Sequence, residues 1–85
     1  MFIAHIRTDT GSSESIPVRA GQTLSVDGRA IMEIQGFEPD GVPCVMFSPL
    51  APMRVDDILV TRPYGTVTVQ PRHPIHVKGA QLYFD

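Results

Sequence analysis

The residues of this chain that could carry chemistry are two histidines, a pair of aspartates, one cysteine and a few serines. His73 and His76 are three residues apart, a spacing that on a helix would bring both rings to one metal ion. Pro74 lies between them and does not fit inside a regular helix, and no third ligand is near in the sequence. The sequence therefore predicts surface or edge histidines and no metal site.

Asp56 and Asp57 are adjacent carboxylates that could share a proton or hold a cation. Adjacent residues of a strand point to opposite faces of the sheet, so two neighbouring aspartates do not converge there. Aspartate is common in turns and at helix N-caps. We therefore expect a turn or cap role for this pair.

The cysteine and the serines lack the surroundings of a nucleophile. Cys44 lies within the apolar run 42–46 with no histidine close in sequence, so it is expected to be a small buried hydrophobe. Ser12, Ser13 and Ser15 have neither a nucleophile-elbow pattern nor an obvious base. No phosphate-binding glycine loop is present. The sequence predicts a protein that is not an enzyme, without cofactor, metal or small-molecule substrate.

Length and composition indicate one small globular domain. The chain has 85 residues, 42% hydrophobic and 19% charged, which predicts a single domain over 1–85 whose small core would gain stability from oligomerisation. Cys44 has no partner for an internal disulfide, and neither a signal-peptide pattern nor a membrane-spanning apolar run is seen. We expect a protein of the cytoplasm, or part of a particle assembled there, without contact to a membrane.

Charge is distributed unevenly along the chain. Residues 1–57 hold four arginines against eight acidic residues, a net charge of −4, whereas 58–84 hold Arg62, Arg72 and Lys78 and no acid. A basic segment with aromatic neighbours could contact phosphates and bases, but three charges are a small footprint for nucleic acid. The favoured interpretation is a solvated sheet face.

Period-two alternation and frequent turn residues predict strands throughout the chain. Asp27-Gly28 is the strongest turn signal and indicates a hairpin. We expect a loop at 8–15, a connection at 48–52 and, as the one place for helix, a helical or 3₁₀ turn at 53–58. The expected strands are 1–7, 15–18, 23–26, 29–37 (with Ala30, Met32 and Ile34 on one face), 42–47, 56–61, 64–69 (with Val67 and Val69 inward, or the reverse), 74–77 and 81–84.

Turn signals about every 8 to 12 residues are typical of small barrels and sandwiches. The fold class predicted is all-β, a small barrel or sandwich of seven to nine short, mostly antiparallel strands with little or no helix. Whether the sheet closes into a barrel stays open.

A series of motifs in the first two thirds of the chain follows the order of a known family. They are residues 19–26 (RAGQTLSV), Gly36, Gly41, Val45, Phe47, Ala51-Pro52 and Asp56-Asp57-Ile58. In this order the chain resembles the carbon storage regulator family, small bacterial proteins with an Arg-x-Gly-Glu-Thr-Leu start, a central turn with two glycines, an Ala-Pro pair and an acidic pair before Ile. The resemblance covers roughly half of the chain. It implies a homodimer of interlocked strands that binds GGA-containing RNA loops and controls translation.

The chain departs from that family at its main RNA-contacting arginine, which immediately precedes the acidic pair. Val55 stands at this position, and Arg54, one residue earlier, would lie on the opposite face of a strand. Arg54 therefore does not simply inherit the role of the family's arginine. If RNA binding holds, the candidate contacts are Arg19, Arg54, Arg62 and Arg72.

Two functions from different classes follow. The first is a protein-binding or assembly module, a homo-oligomer or a subunit of a larger, phage-type particle, because short strands leave sheet edges to be covered and a small core gains from packing on copies of itself or another protein. The alternative is an RNA-binding translational regulator. We place assembly first because the first 57 residues are acidic and the key arginine is not matched.

Overall fold

The computed structural model describes residues 2–38, 40–61 and 65–85, and these form ten strands in two antiparallel sheets. No helix occurs in these ranges, and so none that is long and apolar enough to cross a membrane. The all-β fold class is thereby confirmed. The strands are β1 (Ile3–Thr8), β2 (Ser13–Pro17), β3 (Thr23–Val26), β4 (Arg29–Glu38), β5 (Cys44–Pro49), β6 (Met53–Val55), β7 (Ile58–Val60), β8 (Val67–Val69), β9 (Ile75–Val77) and β10 (Ala80–Phe84).

The two sheets share one hydrophobic core. The larger has the order β2-β1-β10-β9-β6-β7 and the smaller β3-β4-β5-β8, and in the described ranges neither closes on itself. The fold is therefore a two-sheet sandwich rather than a closed barrel. Phe47 of β5 and Phe84 of β10 meet between the sheets. The larger sheet contributes Ala4, Ile6, Met53, Ile75 and Leu82 to the core, and the smaller sheet Leu24, Ile34, Val45, Val67 and Val69.

Two expected features follow directly from local sequence. Asp27 and Gly28 both have positive φ, 51° and 78°, as a two-residue type I′ hairpin turn requires. In β8, Val67 and Val69 are buried while Thr68 is exposed, which resolves the open choice of face. The strong turn signal and the strict alternation were sufficient at these positions.

The expected alternation in β4 is wrong because a β-bulge interrupts it. Leu24 of β3 pairs with Met32, whereas Ser25 pairs with Ala30, so Ile31 is an extra residue on β4. An extra residue shifts the faces on either side of it. Ile31 and Met32 are consequently both buried, and Ala30, expected beside Met32, is exposed.

The expected loop at 8–15 is shorter than predicted. Its last three residues, Ser13, Glu14 and Ser15, belong to β2 and lie opposite residues of β1. They are polar because β2 is the outermost strand of its sheet, where backbone pairing rather than burial holds a strand in place.

The connection expected at 48–52 begins later than predicted. Ser48 and Pro49 continue β5 and lie opposite Glu33 and Met32 of β4. Proline is tolerated there because β8, on the other side, pairs only with Val45, Met46 and Phe47, so Pro49 lies beyond its end.

The helical turn allowed at 53–58 is wrong, and this segment supplies the tenth strand. β6 and β7 form a hairpin in which Val55 pairs with Ile58. Asp56 and Asp57 make the two-residue turn, and Asp56 has φ 52°, which a short polar side chain tolerates. The turn role expected for the aspartates is confirmed, and the strand expected from residue 56 starts at Ile58.

Candidate binding surfaces

His73 and His76 have different neighbours in the structure. His73 precedes β9, and its Nδ1 lies 3.1 Å from both carboxylate oxygens of Asp56. His76 lies within β9, opposite Gln81 and Arg54. Across residues 2–38, 40–61 and 65–85, no group of three or more His, Cys, Asp or Glu side chains could hold a metal ion. Cys44 is buried at the start of β5, as expected.

A serine and a histidine that the sequence did not connect lie together on the larger sheet. The Nδ1 atom of His5 on β1 is 2.8 Å from the Oγ atom of Ser15 on β2, and its Nε2 atom is 3.9 Å from Asp85. The second distance is too long for a hydrogen bond, so a complete Ser-His-Asp relay is not formed. The contacts hold the His5 ring in place. What the sequence did not show is the register of β1 with β2, which places Ser15 opposite His5.

Of the four arginines suggested for RNA binding, the three that the structure describes lie on separate elements. Arg19 is in the connection between β2 and β3, Arg54 is on β6, and Arg72 is in the turn before β9 with φ 68°. Arg62 lies outside the described residues. Val55, at the position of the family's arginine, is 7% exposed and belongs to the core, while Arg54 faces solvent.

One row of exposed side chains crosses the outer face of the larger sheet, the face away from the core. Strand register fixes the row, because each member lies directly opposite the next on the neighbouring strand. The row holds two arginines, one histidine and no carboxylate. Its members, in order from β2 to β7, are Ser13, Arg7, Gln81, His76, Arg54 and Leu59. We call this set the outer row.

An aromatic pair lies beside the outer row on the same face. Tyr83 on β10 is directly opposite His5 on β1, and their ring centroids are 5.0 Å apart with an interplanar angle of 33°. Tyr83 is 41% exposed. A depression of about 310 Å³ lies over this region and is lined by both rings, Arg7, Gln81 and Ser13, among others.

The arginines of the outer row are not neutralised by neighbouring acids. The described part of the chain places no carboxylate within 4.0 Å of Arg7 or Arg54. Two aspartates lie beside histidines instead: Asp85 is 3.9 Å from Nε2 of His5, and Asp56 is 3.1 Å from Nδ1 of His73. Both guanidinium groups are therefore available to an anion from solution.

A second surface is formed by β7, the last strand of the larger sheet. Ile58 and Leu59 are 62% and 60% exposed, and in the described ranges β7 pairs with β6 alone. Large apolar side chains on an edge strand are a pairing site for another chain unless they are covered. A cavity of about 250 Å³ adjoins this edge, lined by Ile58 and Val60 on one side and by Thr66 and Val67 on the other.

Comparison of this chain with protein-family models, with curated proteins and with solved structures found no match. Two surfaces of the structure are candidates for binding: the apolar edge at β7 and the outer row with its aromatic pair.

Proposed function

We propose that this protein is a non-enzymatic β-domain that assembles with copies of itself by pairing β7 with β7 of a second copy. The observation that carries the proposal is the exposure of Ile58 and Leu59 on the outermost strand of the larger sheet. Burying such side chains is favourable by about 25 cal/mol for each Å² removed from water. A second strand would bury them and extend the sheet.

The backbone of β7 is suited to this pairing. Residues that flank a two-residue hairpin turn form a hydrogen-bonded pair, so Val55 and Ile58 exchange their backbone hydrogen bonds. The next pair, Arg54 and Leu59, is then of the type without hydrogen bonds between its members. The N–H and C=O of Leu59 consequently point away from β6 and can bond to a strand added at this edge.

A two-fold axis through Leu59 makes the edge complementary to itself. Two antiparallel copies of β7 would exchange both Leu59 hydrogen bonds and bring their Leu59 side chains together on the outer face. Ile58 of each copy would lie opposite Val60 of the other, on the core side and next to the cavity at this edge. Each copy presents the same surface, as a closed two-fold dimer requires.

Multi-angle light scattering across a concentration series tests the proposal. We expect the mass to rise from 9.3 kDa towards twice that value as concentration increases. Leu59→Pro removes only the outward-pointing N–H and keeps the hydrogen bonds to β6, so it should give a monomer that remains folded. Leu59→Lys should do the same by placing a charge on the edge.

Val42→Lys is the matched control, because Val42 is 62% exposed but lies in the loop before β5. It should leave the dimer unchanged. A wild-type monomer at every concentration, or a dimer that survives both Leu59 variants, would overturn β7 pairing. The RNA-binding alternative has less support at Arg19, Arg54, Arg62 and Arg72, since of the described members of this set only Arg54 belongs to the outer row.

A further inference from the structure

We propose that the outer face of the larger sheet binds single-stranded nucleic acid, with phosphates on the outer row and a base stacked on Tyr83. The side chains of this site come from five strands, β1, β2, β6, β9 and β10. All of these except β6 lie wholly or largely outside residues 16–58, the segment that resembles the carbon storage regulators. The site shares with the β7 edge only Leu59, the uncharged last member of the outer row, so nucleic-acid binding can succeed or fail independently of assembly.

The spacing of charge along the outer row favours an extended polyanion over a single small anion. Strands lie about 4.8 Å apart, so three inter-strand steps separate Arg7 from Arg54 by about 14 Å. That distance is too large for one phosphate to contact both guanidinium groups. Gln81 and His76 fill the two positions between the arginines and can donate hydrogen bonds to intervening phosphate oxygens.

The aromatic pair distinguishes nucleic acid from other polyanions such as acidic peptides. Tyr83 presents a large ring on an open sheet face, next to the outer row along β10. His5 lies against it and is itself held by Ser15, so the platform is already ordered. Sheet-borne aromatic rings flanked by cations are how several folds bind single strands with little regard to sequence.

Fluorescence anisotropy with labelled 12-nucleotide single-stranded RNA and DNA tests the proposal. We expect binding of both at low salt, weakening as salt rises. Arg7→Ala and Arg54→Ala should each reduce the dependence of log K on log salt by roughly 0.7, the value for one phosphate contact on a single strand. Tyr83→Leu should weaken binding about tenfold with little change in the salt dependence, because it removes stacking and no charge.

Arg29→Ala is the matched control. It removes the same charge, but Arg29 is on β4 of the smaller sheet and is not part of the outer row. Its guanidinium donates to the carbonyl of Lys78, in the turn between β9 and β10. Arg29→Ala should change affinity less than twofold. Equal losses from Arg29→Ala and Arg7→Ala would show that only net charge matters and would overturn the site.

Two further outcomes also contradict the proposal. One is that Tyr83→Leu binds the labelled strand with full affinity and that polyglutamate displaces this strand as well as unlabelled nucleic acid does. That result would assign the face to acidic proteins instead. The other is the absence of any anisotropy change at low salt. Neither result depends on assembly, because Leu59→Pro provides a monomer on which every measurement can be repeated.

Discussion

Phe47 and Phe84 join the two sheets at the centre of the core, with ring centroids 6.3 Å apart and an interplanar angle of 48°. Both side chains are fully buried. The separation and tilt lie in the range in which aromatic pairs attract one another beyond simple burial. Because one ring comes from each sheet, the interaction energy of the pair measures how well the two sheets pack against each other.

We expect Phe47→Leu and Phe84→Leu each to lower the free energy of unfolding by about 1 kcal/mol. The double variant should reveal a coupling of about 0.5 to 1.5 kcal/mol, the energy of the ring pair itself. Urea denaturation followed by circular dichroism gives all four values. Tyr83→Leu, an aromatic change on the outer face, should cost less than about 0.5 kcal/mol. Strictly additive losses would show that the rings do not interact.

Two glycines provide a second test, through the same chemical change in different backbone conformations. Gly28 has φ 78° with open space around it, so an added methyl group meets no atom but forces a residue with a side chain into the left-handed region. Gly36 has no positive φ, and its Cβ would meet Met46 at an ordinary contact distance of 3.6 Å.

Gly28→Ala should therefore destabilise the protein by about 1 to 2 kcal/mol. Gly36→Ala should be neutral or stabilise it by up to about 1 kcal/mol, because the unfolded chain loses freedom. Thermal or urea unfolding of the two variants measures both. The interpretation of the β3–β4 turn fails if Gly36→Ala is the more damaging change.

Features set by neighbouring residues could be predicted from the sequence. Asp27-Gly28 fixes its turn locally, and the alternation of residues 1–7 indicates a strand with Ala4 and Ile6 on one face, which in β1 is the buried face. The bulge at Ile31 was not predictable, because it depends on how β3 fits against β4. Pro49 belongs to β5 although the sequence indicates a connection there, because a proline is tolerated only beyond the end of the neighbouring strand β8, which local sequence does not show.

The candidate site was even less predictable from local sequence than the bulge or Pro49. Alternation in β1 placed His5 and Arg7 on one face, but their neighbours come from β10, more than seventy residues away in the sequence. The order β10-β9-β6 then brings His76 and Arg54 into the same row. Strand order is set by packing of the whole chain, so no local pattern could have assembled this row.

Cys44 provides a third test, of burial rather than of energy. The thiol lies at the start of β5 within the folded domain and has no disulfide partner. Burial limits access of reagents to such a cysteine. Reaction with a colorimetric disulfide reagent should be at least about tenfold slower in buffer than in 8 M urea. The dimer should also be insensitive to reducing agent, and its loss in dithiothreitol would mean a bond between Cys44 residues instead of β7 pairing.

The β7 edge and the outer row meet at Leu59, which gives a test of both proposals together. In the two-fold dimer the rows of the two copies would join through Leu59, placing their Arg54 residues three inter-strand steps, about 14 Å, apart. One long strand could then follow both rows, and the second contact would be intramolecular.

We therefore expect an 18-nucleotide strand to bind the wild-type dimer at least tenfold more tightly than a 6-nucleotide strand. Leu59→Pro should leave the affinity for the short strand unchanged and remove most of the gain for the long one, because a monomer presents a single row. Anisotropy titrations with both lengths on both proteins measure the four affinities. An equal gain with length in the monomer would show that the two rows do not act together, whatever the separate outcomes for assembly and binding.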